Sequence, residues 1–400
     1  MGTSTRTSLA SSYLALFVGA VICQAASAQE RDVAVAWRGV TDRLQKSVET
    51  EGVVGASLGL VHRGKLVARW HHGYADLASE RKVDEDTIFH WASITKTFTG
   101  VALLQLRDRD KVSLSDPIVE YLPELRGVHN PFGDMDEITL EHLLSHSAGF
   151  RNSTWPFGGS ESWQPHEPTR WEQIVAMVPY TRIGFPPGTR YSYSNLGILF
   201  LGRVIEIVSG EPYEVYVEKN VLRPLGMGSS YFDRTPYHLL RQRSNNYSVV
   251  NGTRVANGLD FDTGITVSNS GLNAPIPDMA RFLGFLCGAG DETSLAILEP
   301  GSIADMWRPR QVISESDGLE QSMGLVFFVL EDDRARYVGH TGSQKSFISF
   351  VYFRPESGVA AICAFNTVGR GSDRKPDTGR ISNQLRNDLL AQVFPLFPDS

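Results

Sequence analysis

The chain carries a hydroxyl and an amine three residues apart, in Ser93-Ile94-Thr95-Lys96, at the start of an apolar, helix-patterned run. Residues i and i+3 share a face of a helix, so the spacing predicts the Lys96 amine within hydrogen-bond reach of the Ser93 hydroxyl. A lysine stripped of its hydration by burial loses its proton near neutral pH and serves as the base that makes the serine a nucleophile. Ile94, Phe98, Val101 and Leu104 give the run one apolar face, which predicts a helix with Ser93 at its N-terminus. There the helix dipole and free N–H groups favour developing negative charge. The spacing alone is a weak signal. Ser79…Lys82 and Ser372…Lys375 match it equally, and a serine N-cap with a surface lysine one turn on fits it as well. Both rivals lie in charged, turn-like stretches with no apolar period after them, so their lysines are expected to be solvated and protonated.

Two further stretches add chemistry. Phe185 to Gly197 carries Tyr193-Ser194-Asn195, the only Tyr-x-Asn in the chain, and an apolar run begins at Leu196. A tyrosine there can relay a proton to a leaving group, and an asparagine can bind both the lysine and a substrate amide. Val338 to Ser343 joins two strand-like runs and places His340 beside glycine, which lets a substrate approach the backbone closely.

These three motifs, in this order and context, resemble those of the serine β-lactamase and penicillin-binding protein superfamily. Tyr-x-Asn as the second motif is similar to the class C β-lactamase branch, with its DD-peptidase, D-aminopeptidase and family VIII esterase relatives. The stretches Ile138 to Phe150, Pro224 to Met227 and Gly271 to Leu283 are similar to family stretches as well, so the likeness runs over nearly the whole chain after the N-terminus. The resemblance implies Ser93 as the nucleophile of an acyl-enzyme. It implies Lys96 and Tyr193 as the acid/base pair, and Asn195 as the group that positions Lys96 and the substrate. His340 takes the third-motif place with Gly342, and the N–H groups of Ser93 and Ser343 form the oxyanion hole. Most β-lactamases have lysine where this chain has His340. An imidazole titrates near neutral pH, so the permanent cation suited to a β-lactam carboxylate is missing. This favours an ester, amide or peptide substrate over efficient β-lactam hydrolysis. No metal or organic cofactor is implied.

Four hundred residues, 42% hydrophobic and 21% charged, suffice for a large core. A net charge of −7 and a pI near 5.8 leave no basic footprint for nucleic acid. Arg6 is the only charged residue before Glu30; an apolar stretch from Tyr13 to Cys23 and the small residues Ala26-Ser27-Ala28 complete the pattern of a signal peptide over 1–28. Removing that one positive charge from −7 leaves −8. An exported protein, periplasmic or secreted, is expected, with no stable membrane insertion after cleavage because the apolar stretch is short for a bilayer. Cys287 and Cys363 then remain, free or bridged.

The pattern predicts an α/β (α+β) architecture: an antiparallel sheet flanked by helices, built from 29–92 and 309–400, with a mostly helical lobe over 93–308 inserted. Asp32–Glu51 reads as helix, and Gly55–His62 with Lys65–Tyr74 as a hairpin. Later strands are expected at Met323–Leu330, Ala335–His340, Ser346–Phe353 and Val359–Phe365, and a last helix at Ile381–Val393. His142 and His146 have metal-ligand spacing on an expected helix, but Leu143 stands where zinc protease chemistry needs Glu, so they read as packing residues. Trp155, Phe157, Trp163 and Trp171 form either an apolar wall over the cleft or staples of their loop to the core.

Overall fold

A computed structural model describes residues 9–154, 168–259, 262–289, 296–316, 318–370 and 374–399, with only the helical backbone of 9–28. Trp155, Phe157, Trp163 and Ser372 lie outside the described residues. The first helix, α1 (Leu9–Glu51), leads into the hairpin β1 (Gly55–His62) and β2 (Lys65–Asp76), whose turn has Arg63 and Gly64 at positive φ. Short strands β3 (Arg81–Lys82) and β4 (Ile88–His90) follow.

The helical segment comprises α2 (Thr95–Asp108), α3 (Ile118–Tyr121), α4 (Leu140–Leu144), α5 (Trp171–Met177), α6 (Asn195–Ser209) and α7 (Tyr213–Val217), then α8 (Val267–Ser270), α9 (Ile276–Leu286) and α10 (Pro300–Met306). It also holds the short strands β5 (Tyr231–Phe232), β6 (Tyr247–Val250), β7 (Thr253–Ala256) and β8 (Leu272–Pro275). The chain then returns as β9 (Gln311–Ser316), β10 (Leu319–Met323), β11 (Phe328–Glu331), β12 (Arg336–Gln344), β13 (Phe347–Arg354), β14 (Val359–Phe365) and β15 (Thr367–Arg370), and ends in α11 (Thr378–Gln392).

Among the described residues the main sheet has nine strands in the order β3-β2-β1-β14-β13-β12-β11-β10-β9. Its interior strand β14 is apolar throughout because both faces are covered. Val359, Ala361, Cys363 and Phe365 pack toward α1 and α11, while Ala360, Ile362 and Ala364 join the larger core shared with the helical segment. Two small sheets tie the sheet region to that segment: β4 pairs with β8, and β15 pairs in parallel with β6.

Three expectations are corrected. The strand expected at Met323–Leu330 is broken between β10 and β11, where Val326 turns at φ +61° and its N–H reaches the Leu144 carbonyl. The helix expected from Ser93 starts as α2 at Thr95, after a 3₁₀ turn at Ala92–Ile94. It has no single apolar face, since every residue from Thr95 to Leu106 is buried where α2 passes between the other elements. Cys287 and Cys363 are free thiols, the second inside the sheet. Among the described residues no helix is long and apolar enough to cross a membrane.

Candidate active site

The turn that bears Ser93 is shaped by one strained backbone conformation and four hydrogen bonds. Ala92 adopts φ +49°, a left-handed conformation that costs a non-glycine residue energy and redirects the chain from β4 into α2. Thr95 Oγ1 donates to the Ala92 carbonyl at 2.6 Å and accepts the Leu272 N–H at 3.0 Å. The Trp91 N–H donates to the Leu272 carbonyl, and the buried Trp91 indole N–H to that of Ala274, both at 2.9 Å. The segment from α8 to β8 therefore holds the serine turn from one side.

From the other side comes β12. A Cβ on Gly342 would run into the Trp91 carbonyl and the Ser349 hydroxyl. Glycine is required at 342 because the protein's own backbone approaches there, a tighter constraint than room for substrate. Ser343 follows it and is exposed. Its N–H and that of Ser93 are the pair the resemblance implies for an oxyanion hole.

Ser93 is half-buried, and the structure brings Lys96 and Tyr193 to its hydroxyl. Lys96 Nζ lies 3.0 Å from Ser93 Oγ and donates to the Asn269 carbonyl at 2.8 Å. Burial alone holds the Lys96 amine well below the ordinary lysine range, with no neighbouring carboxylate to oppose it. A neutral amine that gives one proton to Asn269 keeps its lone pair for the Ser93 proton. Tyr193 is pushed the opposite way: burial raises its phenol above the usual range, and its hydrogen bond with Ser93 only partly offsets this. The Lys96 ammonium position lies 5.1 Å from the Tyr193 ring centroid. A depressed amine and a raised phenol around one hydroxyl are the pair that acylation would need, one to accept a proton and one to donate it.

Asn195 departs from expectation. Its side chain donates to Asn152 Oδ1 at 2.9 Å and makes no hydrogen bond to Lys96; the lysine's second partner is the Asn269 carbonyl. Asn269 Nδ2 in turn donates to the Asn195 carbonyl at 3.3 Å, so it is the Asn195 backbone that touches the residue holding Lys96. Asn269 was not singled out from the sequence; it lies two residues before the Gly271 to Leu283 stretch, and nothing in its local pattern marks a ligand.

His340 departs further. It is 1% exposed, and burial, followed by the charge of Lys96, lowers its pKa to about 3. Its Nδ1 lies 2.6 Å from the Thr341 carbonyl, which only accepts, so Nδ1 carries the proton and Nε2 presents a lone pair. That Nε2 is buried without a partner among the described residues. The histidine expected to titrate near neutrality and to donate to a carboxylate is a neutral acceptor instead.

His142 and His146 do not share a helix. His142 closes the capping box of α4 with Thr139, and His146 lies beyond the helix end at φ +52°, with its ring 4.4 Å from that of Tyr193. Among the described residues no three His, Cys, Asp or Glu side chains are grouped to hold a metal. Trp171 staples its segment to the core, edge-on to Phe200 at 6.2 Å and with its N–H on Glu124. A cavity of about 730 Å³ lies on the far face of the sheet, between α1 and the β1–β2 hairpin, away from Ser93.

A serine flanked by a buried lysine and a tyrosine between β12 and a helical segment defines a serine hydrolase of the β-lactamase and penicillin-binding protein superfamily. The family model described as Beta-lactamase matches residues 40–386, and the chain belongs to that family. It is 23% identical over 358 residues to Protein flp of Staphylococcus aureus strain MW2, covering 89% of this chain and 68% of that protein. Against Protein flp of strain COL the match is 23% over 323 residues, covering 81% of this chain and 61% of that protein. The chain thus spans about two thirds of those relatives. A β-lactamase of Pseudomonas fluorescens is 28% identical over 192 residues, 48% of this chain and 49% of the other. The octameric penicillin-binding protein homologue of Pyrococcus abyssi superposes with a TM-score of 0.73 at 26% identity, covering 88% of this chain and 77% of the other.

Proposed function

We propose that the protein hydrolyses a small ester, amide or peptide through an acyl-enzyme on Ser93, as an esterase or D-amino-acid peptidase rather than an efficient β-lactamase. The observation that carries this reading is the buried Lys96 amine, 3.0 Å from Ser93 Oγ with burial as the only influence on its pKa. Lys96 takes the Ser93 proton as Oγ attacks the carbonyl carbon. The negative charge on the carbonyl oxygen is met by the Ser93 and Ser343 N–H groups. As the tetrahedral intermediate collapses, Tyr193 gives its proton to the leaving alkoxide or amine and recovers one from Lys96. Water then reverses the sequence and frees the acid.

The preference against β-lactams rests on position 340, where a neutral acceptor replaces a cation and offers a carboxylate no attraction. In this reading the chain is exported, to the periplasm or beyond, with residues 1–28 removed; N-terminal sequencing of the mature protein at Gln29 tests that part. The catalytic part is tested on the mature chain with p-nitrophenyl esters, D-amino-acid peptides and nitrocefin, together with a fluorophosphonate label. Ser93→Ala abolishes turnover and labelling while the fold remains. A label on Ser79 or another serine overturns the assignment. Stoichiometric labelling without turnover on any substrate makes the protein a penicillin-binding receptor, the kind of protein named in the Pyrococcus relative.

A further inference from the structure

His146 is a buried titratable group against Tyr193 that the acylation sequence leaves without a role. It follows the end of α4 at φ +52°, a conformation that histidine adopts at a cost and asparagine adopts readily. Its backbone carbonyl accepts the Ser192 N–H at 2.8 Å, and its ring Nδ1 accepts the Ser194 N–H at 3.2 Å. These two bonds grip the chain on either side of Tyr193. The imidazole also lies against the phenol, with centroids 4.4 Å apart at 35°, and meets the Tyr191 ring edge-on at 6.2 Å.

We propose that His146 is the positioning residue for Tyr193: it pins the backbone on both sides of the phenol and fills the space against its ring, so that the hydroxyl stays on Ser93. The role needs the tautomer with Nδ1 free to accept, which puts the proton on Nε2, an atom buried without a partner among the described residues. Protonating Nδ1 would break the Ser194 bond. Burial, then the Lys96 charge from α2 and His340 from β12, push the imidazole well below its ordinary pKa. Tyr191 and Tyr193 are the other titratable groups packed on it. The same burial that lowers the imidazole favours the neutral ring whose Nδ1 lone pair holds Ser194. By reciprocity, a positive charge at 146 would make Lys96 a poorer proton acceptor.

The inference rests on Ser93, Lys96 and Tyr193 as the acylating centre, and the test separates the two. His146→Phe keeps a ring on the phenol but offers Ser194 no acceptor; His146→Asn keeps an acceptor near Nδ1 and suits the backbone. Each is measured alone and with Tyr193→Phe, by ester turnover and by the rate of fluorophosphonate labelling at Ser93. His146→Phe is expected to lower kcat about 10²-fold, the scale of an ångström-sized misplacement of a reacting group, with KM little changed. His146→Asn is expected to recover most of that loss. Beside Tyr193→Phe, His146→Phe adds little further loss, because the group it positions has gone. A loss carried undiminished into the Tyr193→Phe background, or no loss at all, overturns the inference. Where His146→Phe does not fold, His146→Gln, whose acceptor sits at the Nε2 distance, is compared with His146→Asn, and equal rates overturn it. Labelling that persists in Ser93→Ala sinks the underlying reading instead.

Discussion

His340 offers the sharpest test of what burial does at this site. Ordinary histidine is about 3% protonated at pH 8 and about 97% protonated at pH 5, given a reference pKa near 6.5. With the pKa lowered to about 3, His340 stays neutral throughout that range, carrying roughly 1% positive charge at pH 5. A charge-assisted hydrogen bond is roughly twice as strong as a neutral one, a gain of about 1–1.5 kcal/mol or roughly tenfold in affinity. An ordinary imidazole would therefore change the preference for a carboxylate-bearing ester over its neutral isostere by roughly tenfold between pH 8 and pH 5. The expected result is a flat ratio of kcat/KM for the two esters, both falling together toward acid as Lys96 gains its proton. His340→Lys should raise the ratio by about tenfold at constant pH, because lysine supplies both the charge and a donor in place of a lone pair. The assay is the two-ester ratio at constant ionic strength across pH 5 to 8, for wild type and variant. A wild-type ratio that climbs about tenfold with a midpoint near 6.5 would falsify the reasoning, since the imidazole would then be titrating as if solvated.

Acid should unfold the protein through its buried imidazoles. His90 and His340 are both held to about 3, so their neutral forms stabilise the fold fully above pH 6.5, and this is lost as pH falls from 6.5 toward 3. From pH 6.5 to 4.5 the two together cost about 5 kcal/mol, at about 1.4 kcal/mol per unit each, which urea unfolding at the two pH values measures; an unchanged midpoint refutes it. Lys96 is depressed in the fold and ordinary when unfolded, so its burial costs stability at pH 7. Lys96→Met should raise Tm while cutting turnover by about 10²–10⁴-fold or more, and a lowered Tm would count against a neutral buried amine. Gly342→Ala should cut turnover and labelling by displacing the serine turn, because its Cβ meets backbone oxygen that has nowhere to move; normal labelling would show that β12 tolerates the shift.

Several elements were legible because their signal is local. The hairpin at Gly55–His62 and Lys65 onward alternates around an Arg-Gly turn, and Val359–Phe365 is an unbroken apolar strand; both form as the pattern predicts. Ser93, Lys96 and Tyr193 were legible as candidates through motif spacing, and the structure brings the three together. The break at Val326 was not legible, since Met323 to Leu330 is apolar enough for one strand and the turn is fixed by a bond to Leu144, far away in sequence.

The sequence by itself determined which groups can do chemistry: a serine and an amine at a spacing that one helical turn preserves, and a phenol in a motif of its own. Only the tertiary structure decided their proton affinities and partners, because desolvation depends on what packs around a group from distant parts of the chain. The Lys96 amine is held well below the ordinary lysine range because α2 is enclosed on all sides, and its second bond goes to Asn269, which lies 173 residues away. His340 and His146 have their pKa values lowered by the same enclosure, and both reach Tyr193 from separate elements. A motif names the atoms; burial and long-range contact set what each of them can donate or accept.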